Sequence, residues 1–315
     1  MTHSAPEGLR EDVREIVAQL SALLGPRQGE IEAVPGMLTK LAFKVRLGGT
    51  DYVVHLPGGE AGVLGTDPHS EQQAGVRAAQ LGIAPRVVAA LEHPACFVTQ
   101  LASGRALNAA ELRDPGVLAE LAAAVRTFHE SGLELTRRFD PYAWVQACGQ
   151  MAVERGVEMP DGYERALAYA RKIERKVARH PDDRVSPCHT NLCPPNIWHD
   201  GERILITGWR YAGMCDRMYD LGDLAASIEL DDEGERFLLV SYFDEEPRPR
   251  RLATIKLMRF LSELVEAVWG LVESSVSELD VDFSGHARVH VAKLNALVDD
   301  PRFHSWIRDA ARRRR

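Results

Sequence analysis

The order in which strand and helix patterns follow one another constrains the fold of this chain more than any other feature. Between residues 41 and 56, apolar and polar residues alternate on both sides of Gly48-Gly49, which predicts a hairpin. The spacing predicts a helix over 68–81 and two further strands over 86–90 and 97–101. Beyond residue 104 the apolar spacing is mainly helical. Strands followed by helices predict an α+β architecture.

Two lobes are expected from this order. The short break at Ser103-Gly104 predicts a boundary between an N-terminal lobe, residues 1–103, and a helical C-terminal lobe, residues 104–315. A short hinge between the lobes leaves a cleft, which is where small ligands bind. Helices are predicted over 9–24, 114–129, 142–155, 163–179, 233–243, 249–275, 286–298 and 301–312.

Composition excludes several classes of partner. The 315 residues carry a formal net charge of −8, which argues against a nucleic-acid binder. No run reaches the roughly 20 apolar residues that a membrane helix needs. Residues 1–8 lack the basic start and apolar run of a signal peptide. We therefore expect a cytoplasmic protein with no nucleic-acid or membrane partner.

The segment from Cys188 to Asn196 carries the clearest chemical pattern. It follows the kinase catalytic loop, His-x-Asp-Leu-x-x-x-Asn, with His189, Leu192 and Asn196 in their places. Asn191 stands where the pattern has its aspartate. In such loops the histidine packs and forms hydrogen bonds, so His189 is not interpreted as a base.

A second segment follows, Ile-Leu-Ile-Thr-Gly-Trp-Arg-Tyr-Ala-Gly from residue 204, with Asp220-Leu221 shortly after it. With these two segments the chain resembles the choline/ethanolamine kinase and aminoglycoside phosphotransferase family, which writes the second one approximately as Ile-Asp-Trp-Glu-Tyr-Ala-Gly. The resemblance implies a protein-kinase-like two-lobed fold. It has a small antiparallel N-lobe sheet, a bridging helix and a large, mainly helical C-lobe. It also implies ATP and Mg²⁺ as cofactors and a small-molecule alcohol as substrate.

The same resemblance implies nucleotide-binding residues in the first lobe. Gly36 and Thr39 correspond to the family's glycine-loop hairpin. His55 stands where the third strand usually carries Lys or Arg to hold the α- and β-phosphates. Glu71, on the bridging helix, is the candidate partner for that position. Histidine is mostly neutral at pH 7 unless such a partner raises its pKa.

Two departures from the family pattern remove carboxylates. At the catalytic position, Asn191 has no useful basicity, and losing a general base slows a reaction about 10²- to 10⁴-fold. Gly208 stands at the metal-binding aspartate, so a hard oxygen ligand is lost from the Mg²⁺ site. Asn196 is the remaining candidate metal ligand. We expect restoration of both aspartates to recover metal binding.

The substrate end of the cleft also differs from the family. Arg210 replaces a glutamate that helps to hold a quaternary ammonium group in choline kinases. Trp209, Tyr211 and Trp269 offer aromatic faces for a cation, although both indoles also fit core positions. A buried arginine repels choline and suits a carboxylate or phosphate.

These departures favour a pseudokinase. Such a protein binds a small molecule or nucleotide without efficient phosphoryl transfer and acts through a protein partner. The first alternative is an active ATP-dependent phosphotransferase for choline, ethanolamine or an aminoglycoside, with unusual metal ligands. A second alternative is different chemistry on the same fold, such as nucleotidyl transfer. The acidic residues that would substitute for the lost ligands are Asp200, Asp216, Asp220 and Asp223.

Overall fold

The structure is a computed structural model. It describes residues 16, 18–19, 29–33, 42–47, 49–55, 64–92, 95–177, 185–277 and 279–312. The predicted helix over 9–24 lies almost wholly outside the described residues, and so do Gly36 and Thr39.

The first part of the chain forms one antiparallel sheet. Its strand order is β1-β2-β3-β5-β4, so all neighbouring strands except β3 and β5 also follow one another directly along the chain. The predicted hairpin is confirmed, with Val45 opposite Tyr52 and Gly49 in the left-handed region at φ +82°. The strands are β1 (Gly29–Ala33), β2 (Ala42–Leu47), β3 (Thr50–His55), β4 (Val87–Glu92) and β5 (Ala95–Gln100).

Helix α1 (Pro68–Gln80) connects this sheet to the rest of the molecule. Asp67 caps it by accepting from the backbone of His69 and Ser70. Gly75 lies against the Phe97 ring, where a β-carbon would be 3.1 Å from a ring carbon. The Ser70 hydroxyl accepts from the Arg137 amide at 2.8 Å. The helix therefore contacts both lobes, as the family resemblance implied.

Helices form most of the second lobe. The 28-residue helix α8 runs through its centre, with Phe260 and Leu264 fully buried. Helices α4, α6, α9 and α10 pack around it. The helices are α2 (Ala109–Leu112), α3 (Pro115–His129), α4 (Pro141–Glu154), α5 (Tyr163–Lys176), α6 (Arg217–Ser227), α7 (Asp232–Phe243), α8 (Pro249–Val276), α9 (Phe283–Asp299) and α10 (Phe303–Ala310).

The chain beyond residue 104 is mainly helical, as expected, but it also contains short strands that the sequence did not predict. Two small antiparallel sheets lie in the second lobe, one ordered β6-β8-β9 and the other a β7-β10 pair. Strands of two to four residues are too short to show a period in the sequence. The strands are β6 (Arg105–Ala106), β7 (Val185–Cys188), β8 (Ile197–His199), β9 (Ile204–Ile206) and β10 (Gly213–Asp216).

The proposed lobe boundary after residue 103 lies between two elements of different sheets. Strand β5 ends at Gln100 in the first sheet, whereas β6 begins at Arg105 and pairs with β8.

Among the described residues, none of the helices combines the length and apolar character needed to cross a membrane.

Candidate functional site

The loop between β7 and β8 is held by the carboxylate of Asp220, near the start of α6. The backbone amides of His189 and Thr190 donate to it at 2.7 and 2.8 Å. Thr190 has a left-handed φ of +60°, and its hydroxyl donates to the Tyr211 carbonyl at 2.6 Å. Buried hydrogen bonds thus fix a strained backbone at the start of the loop.

Asp220 is fully buried yet charged. The Nε2 of His129 lies 2.9 Å from it, and the Nδ1 of that ring lies 2.7 Å from the Tyr242 hydroxyl. Burial alone would raise the pKa of Asp220, but the hydrogen bond and charge of His129 hold it below its usual range. This network stabilises the loop from inside the lobe.

A second buried aspartate supports the middle of the loop. Asp223 accepts from the Leu192 amide and from the Ser262 hydroxyl, both at 2.6 Å. Burial raises its pKa to about 7. Sequence reasoning missed this role and that of Ser262. The one-turn spacing of Asp220 and Asp223 in an apolar helix was the available signal.

His189 positions the loop and has both ring nitrogens engaged. Its Nε2 donates to the Thr207 carbonyl at 2.8 Å, and its Nδ1 accepts from the Asn191 amide at 3.2 Å. Burial lowers its pKa, so the ring is neutral. Both nitrogens are occupied by backbone, which leaves none to act as a base.

Asn191 and Asn196 meet inside the loop. The Asn196 side chain donates through Nδ2 to the Asn191 carbonyl at 3.0 Å and to the Cys193 sulfur at 3.3 Å. The side-chain amide of Asn191 is half-buried and makes no hydrogen bond with any other residue that the structure describes. The position that the family resemblance makes catalytic therefore carries an uncharged amide.

Gly208 directly faces Asn196. Its backbone is left-handed, with φ +78° and ψ 39°. A β-carbon there would lie 2.6 Å from Cγ and 2.9 Å from Nδ2 of Asn196, far inside van der Waals contact. The Asn196 amide fills the space that a side chain at residue 208 would enter.

The residues at the expected Mg²⁺ position do not fit that ion. Within the described ranges, Asn191, Asn196 and Gly208 offer neutral amide oxygens and no carboxylate. Mg²⁺ requires near-octahedral oxygen coordination and is usually held by one or two carboxylates together with substrate phosphates.

His55 is neutral and does not pair with Glu71, contrary to the suggested pairing. Its Nε2 lies 3.1 Å from the Thr99 hydroxyl, and its ring stacks on Phe97 with centroids 4.4 Å apart. Burial lowers the pKa of His55 to about 4. This position on β3 supplies no cation for phosphates at neutral pH.

Glu71 is instead coupled to Arg210. Burial raises the pKa of Glu71 to about 7, and the charge of Arg210 opposes that rise. Arg210 lies in the short 3-10 turn Trp209–Tyr211, which packs against α1. Its Nε is buried without a hydrogen-bond partner in the described part of the chain.

The aromatic residues divide between cleft and core. Tyr211 and Trp269 are both half-buried, and the Trp269 indole donates to the Tyr211 hydroxyl at 3.2 Å. The assignment of Trp209 to the substrate cleft is wrong. It is only 4% exposed, donates to the Ile206 carbonyl at 3.1 Å and packs on Phe128.

The fold and this loop together define a class of protein. A small antiparallel sheet, a helix that contacts both lobes and a His-x-Asn-Leu-x-x-x-Asn loop held by buried aspartates constitute a kinase-like phosphotransferase fold. The sequence pattern of the phosphotransferase enzyme family (APH) matches residues 30–267, and the chain belongs to that family.

Known relatives agree with this assignment. A choline/ethanolamine kinase family protein from Mesorhizobium loti is 25% identical, with a TM-score of 0.80 over 95% of this chain and 99% of that one. The choline kinase LicA from Streptococcus pneumoniae is 19% identical, with a TM-score of 0.72 over 90% of this chain and 99% of that one. A probable choline kinase 2 from Arabidopsis thaliana is 24% identical over 61% of this chain. That match spans 62% of the plant protein's length.

Proposed function

We propose that this chain is a pseudokinase of the choline/ethanolamine kinase type. It binds a small molecule or nucleotide between its lobes, without efficient phosphoryl transfer, and acts through a protein partner. One observation carries the proposal: the side chain of Asn196 occupies the space at Gly208 where the family has its metal-binding aspartate. A larger side chain at residue 208 would have to displace the Asn196 amide, which supports the absence of a metal-binding carboxylate here.

The state of the catalytic loop supports the same proposal. Asp220 and Asp223 hold the backbone of the loop through three hydrogen bonds of 2.6 to 2.8 Å. The frame that presents residue 191 is therefore intact, whereas that residue has no negative charge. An ordered loop without its reactive carboxylate is expected of a binding protein derived from an enzyme.

The acids that would rescue an active enzyme are engaged elsewhere. Asp220 and Asp223 support the loop from inside the lobe. Asp216 caps α6 by accepting from the Met218 amide, and Asp200 accepts from two backbone amides in the β8–β9 turn. All four carboxylates already accept backbone hydrogen bonds, which supports the pseudokinase proposal over the alternative of unusual metal ligands.

Charge near Arg210 indicates the class of ligand. Its buried Nε lacks a hydrogen-bond partner in the described structure even though the charge of Arg210 acts on Glu71, and a guanidinium favours a carboxylate or phosphate. A quaternary ammonium group, the cation of choline, would be repelled there. We therefore expect a ligand that carries an acidic group, in contact with Arg210 and beside Tyr211 and Trp269.

Thermal unfolding with ATP, with inorganic phosphate and with choline tests this proposal. A ligand at about 100 times its dissociation constant stabilises a protein by about 2.7 kcal/mol. We expect any shift with ATP to be the same with and without Mg²⁺, and we expect choline to give none. An Mg²⁺-dependent shift with ATP, accompanied by phosphorylation of choline or ethanolamine, would contradict the proposal.

A matched pair of variants separates Arg210 from general charge effects. We expect Arg210→Met to lose the shift with phosphate, because the guanidinium is the predicted contact. Arg138→Met, at an arginine whose side chain is 69% exposed, is expected to keep it. An unchanged shift in Arg210→Met would show that the acidic ligand binds elsewhere.

A further inference from the structure

Three side chains with metal-binding groups meet between helices α8 and α9. They are Glu266 of α8 and His286 and His290 of α9, and one ligand atom of each lies within 4.8 Å of the others. The Nε2 of His286 is 3.1 Å from Oε2 of Glu266. All three residues are partly exposed, so an ion can reach them from solvent.

The geometry of the two helices explains why these groups converge. Residues four apart lie on one face of a helix, so both imidazoles project from the same side of α9. Gly270, one turn after Glu266, lets the helices approach closely. A β-carbon there would lie 2.9 Å from the Phe283 carbonyl and 3.1 Å from the His286 ring.

His290 has the supporting contact that metal-binding histidines usually have. Its Nδ1 lies 2.6 Å from Oε2 of Glu263, a carboxylate whose side chain is only 3% exposed. A carboxylate at one ring nitrogen fixes the tautomer and leaves the other, Nε2, free to bind a metal. Lys293 lies 3.7 Å from the same carboxylate and helps to offset its charge.

The donor set selects the class of ion. Two imidazoles and one carboxylate suit divalent transition metals such as Zn²⁺ and Co²⁺, whereas Mg²⁺ prefers oxygen ligands alone. Three protein ligands leave at least one coordination position open to water or to a bound molecule. The cluster is thus chemically distinct from the Mg²⁺ position expected at Asn196 and Gly208.

The cluster lies beside the proposed ligand pocket. The His286 ring packs edge-on against Trp269, with centroids 5.5 Å apart, and the Trp269 indole donates a hydrogen bond to the Tyr211 hydroxyl. An ion held by these three residues would therefore lie next to Trp269, at the substrate end of the proposed pocket.

We propose that Glu266, His286 and His290 form a binding site for one divalent transition-metal ion, with Glu263 orienting His290. This proposal holds whether or not the chain transfers phosphate. It goes beyond the pseudokinase proposal by assigning a metal to the substrate end of the cleft.

Cobalt titration of the untagged, chelator-treated full chain tests the site. Co²⁺ reports its coordination through visible absorption, and Zn²⁺ then competes for the same position. We expect the wild type to bind one equivalent of Co²⁺ with a visible absorption band, and we expect Zn²⁺ to displace this Co²⁺. We expect Glu266→Gln and His286→Ala to show no such absorption band. Circular dichroism and melting curves establish that each variant folds.

Two further variants sharpen the test. Glu263→Gln keeps all three ligands and is expected to weaken binding about 10- to 100-fold, the usual effect of losing an orienting carboxylate. His304→Ala removes an exposed histidine of α10 and is expected to bind as the wild type does. The proposal would be overturned if the wild type took up no Co²⁺. It would also be overturned if the folded single variants Glu266→Gln and His286→Ala each bound Co²⁺ as the wild type does.

Discussion

Gly208 lies against the side-chain amide of Asn196, so closely that a β-carbon at residue 208 would be 2.6 Å from the Asn196 Cγ. The family resemblance implies that both residues stand at metal-ligand positions. In this chain they pack on each other, and Asn196 also donates to the Asn191 carbonyl. The three positions thus form one packed unit without a carboxylate.

Replacing Gly208 by alanine is expected to destabilise the protein for two reasons. A left-handed backbone disfavours a non-glycine residue by about 1 to 2 kcal/mol. The new methyl group must in addition displace Asn196. Gly156→Ala is a matched control, because Gly156 has a similar φ of +76° but no atom within 4 Å of the place that its β-carbon would take. Chemical denaturation measures both.

The additional loss of unfolding free energy in Gly208→Ala, compared with Gly156→Ala, measures the cost of displacing Asn196. Equal losses of stability in the two variants would show that the site has free space.

The same geometry revises the expectation that Asn191→Asp with Gly208→Asp recovers metal binding. We now expect the double variant to bind no Mg²⁺, because the Asn196 side chain fills the space that the new carboxylate at residue 208 would need. Isothermal titration calorimetry measures the binding of Mg²⁺.

Truncation of Asp220 tests the support of the catalytic loop. Asp220→Ala leaves two backbone amides and His129 without their buried partner. Breaking a buried charge pair typically destabilises by about 3 to 5 kcal/mol. Glu246→Ala, in an exposed pair with Arg236, is expected to change stability by at most about 1 kcal/mol. Comparable losses in both variants would contradict the role assigned to Asp220.

His55 gives a prediction for the pH dependence of stability. Its pKa is about 4 in the folded protein and about 6.5 in an unfolded chain. Between these values the unfolded chain binds more protons, so the contribution of His55 to stability rises with pH from about 4 to about 6.5. The slope is at most about 1.4 kcal/mol per pH unit.

The difference in unfolding free energy between wild type and His55→Gln isolates this contribution. Glutamine can keep the hydrogen bond to Thr99 without titrating. We expect the difference to grow across that pH window and to level off above it. A constant difference, or an imidazole that titrates near pH 6.5 by NMR, would show that His55 is solvated.

Arg210 and Glu71 give a second electrostatic prediction. Burial raises the pKa of Glu71 to about 7, and Arg210 limits that rise. Arg210→Met is therefore expected to move the pKa of Glu71 further upward, as measured by carbon NMR of the carboxyl group. Arg138→Met is expected to leave it unchanged. A fall, or no change, in Arg210→Met would mean that the two charges are not coupled.

Sequence periodicity was sufficient for the larger elements of the fold. The predicted hairpin and the helices that became α1, α3 and α8 agree with the structure to within a few residues, because long amphipathic segments repeat their pattern several times. Strands β6 to β10 were missed because they contain two to four residues each and are defined by pairing. Helix α6 was missed because its buried face includes aspartates that a periodicity argument treats as polar.

The candidate site was predictable only where a motif is contiguous. Residues 188 to 196 and 204 to 211 could be aligned with a family pattern, so Asn191 and Gly208 were found. The burial of Trp209 depends on the turn at Gly208, which no spacing reveals. Glu266 and His286 are 20 residues apart on different helices, so only packing brings them together.

Transfer of the γ-phosphate of ATP is the most direct test of the central claim. Radiolabelled ATP with Mg²⁺ is supplied with choline, ethanolamine or an aminoglycoside, and wild type is compared with Asn191→Ala prepared in parallel. We expect neither protein to yield phosphorylated product above the background common to both preparations. Wild-type turnover that Asn191→Ala abolishes would contradict it, because residue 191 would then take part in catalysis.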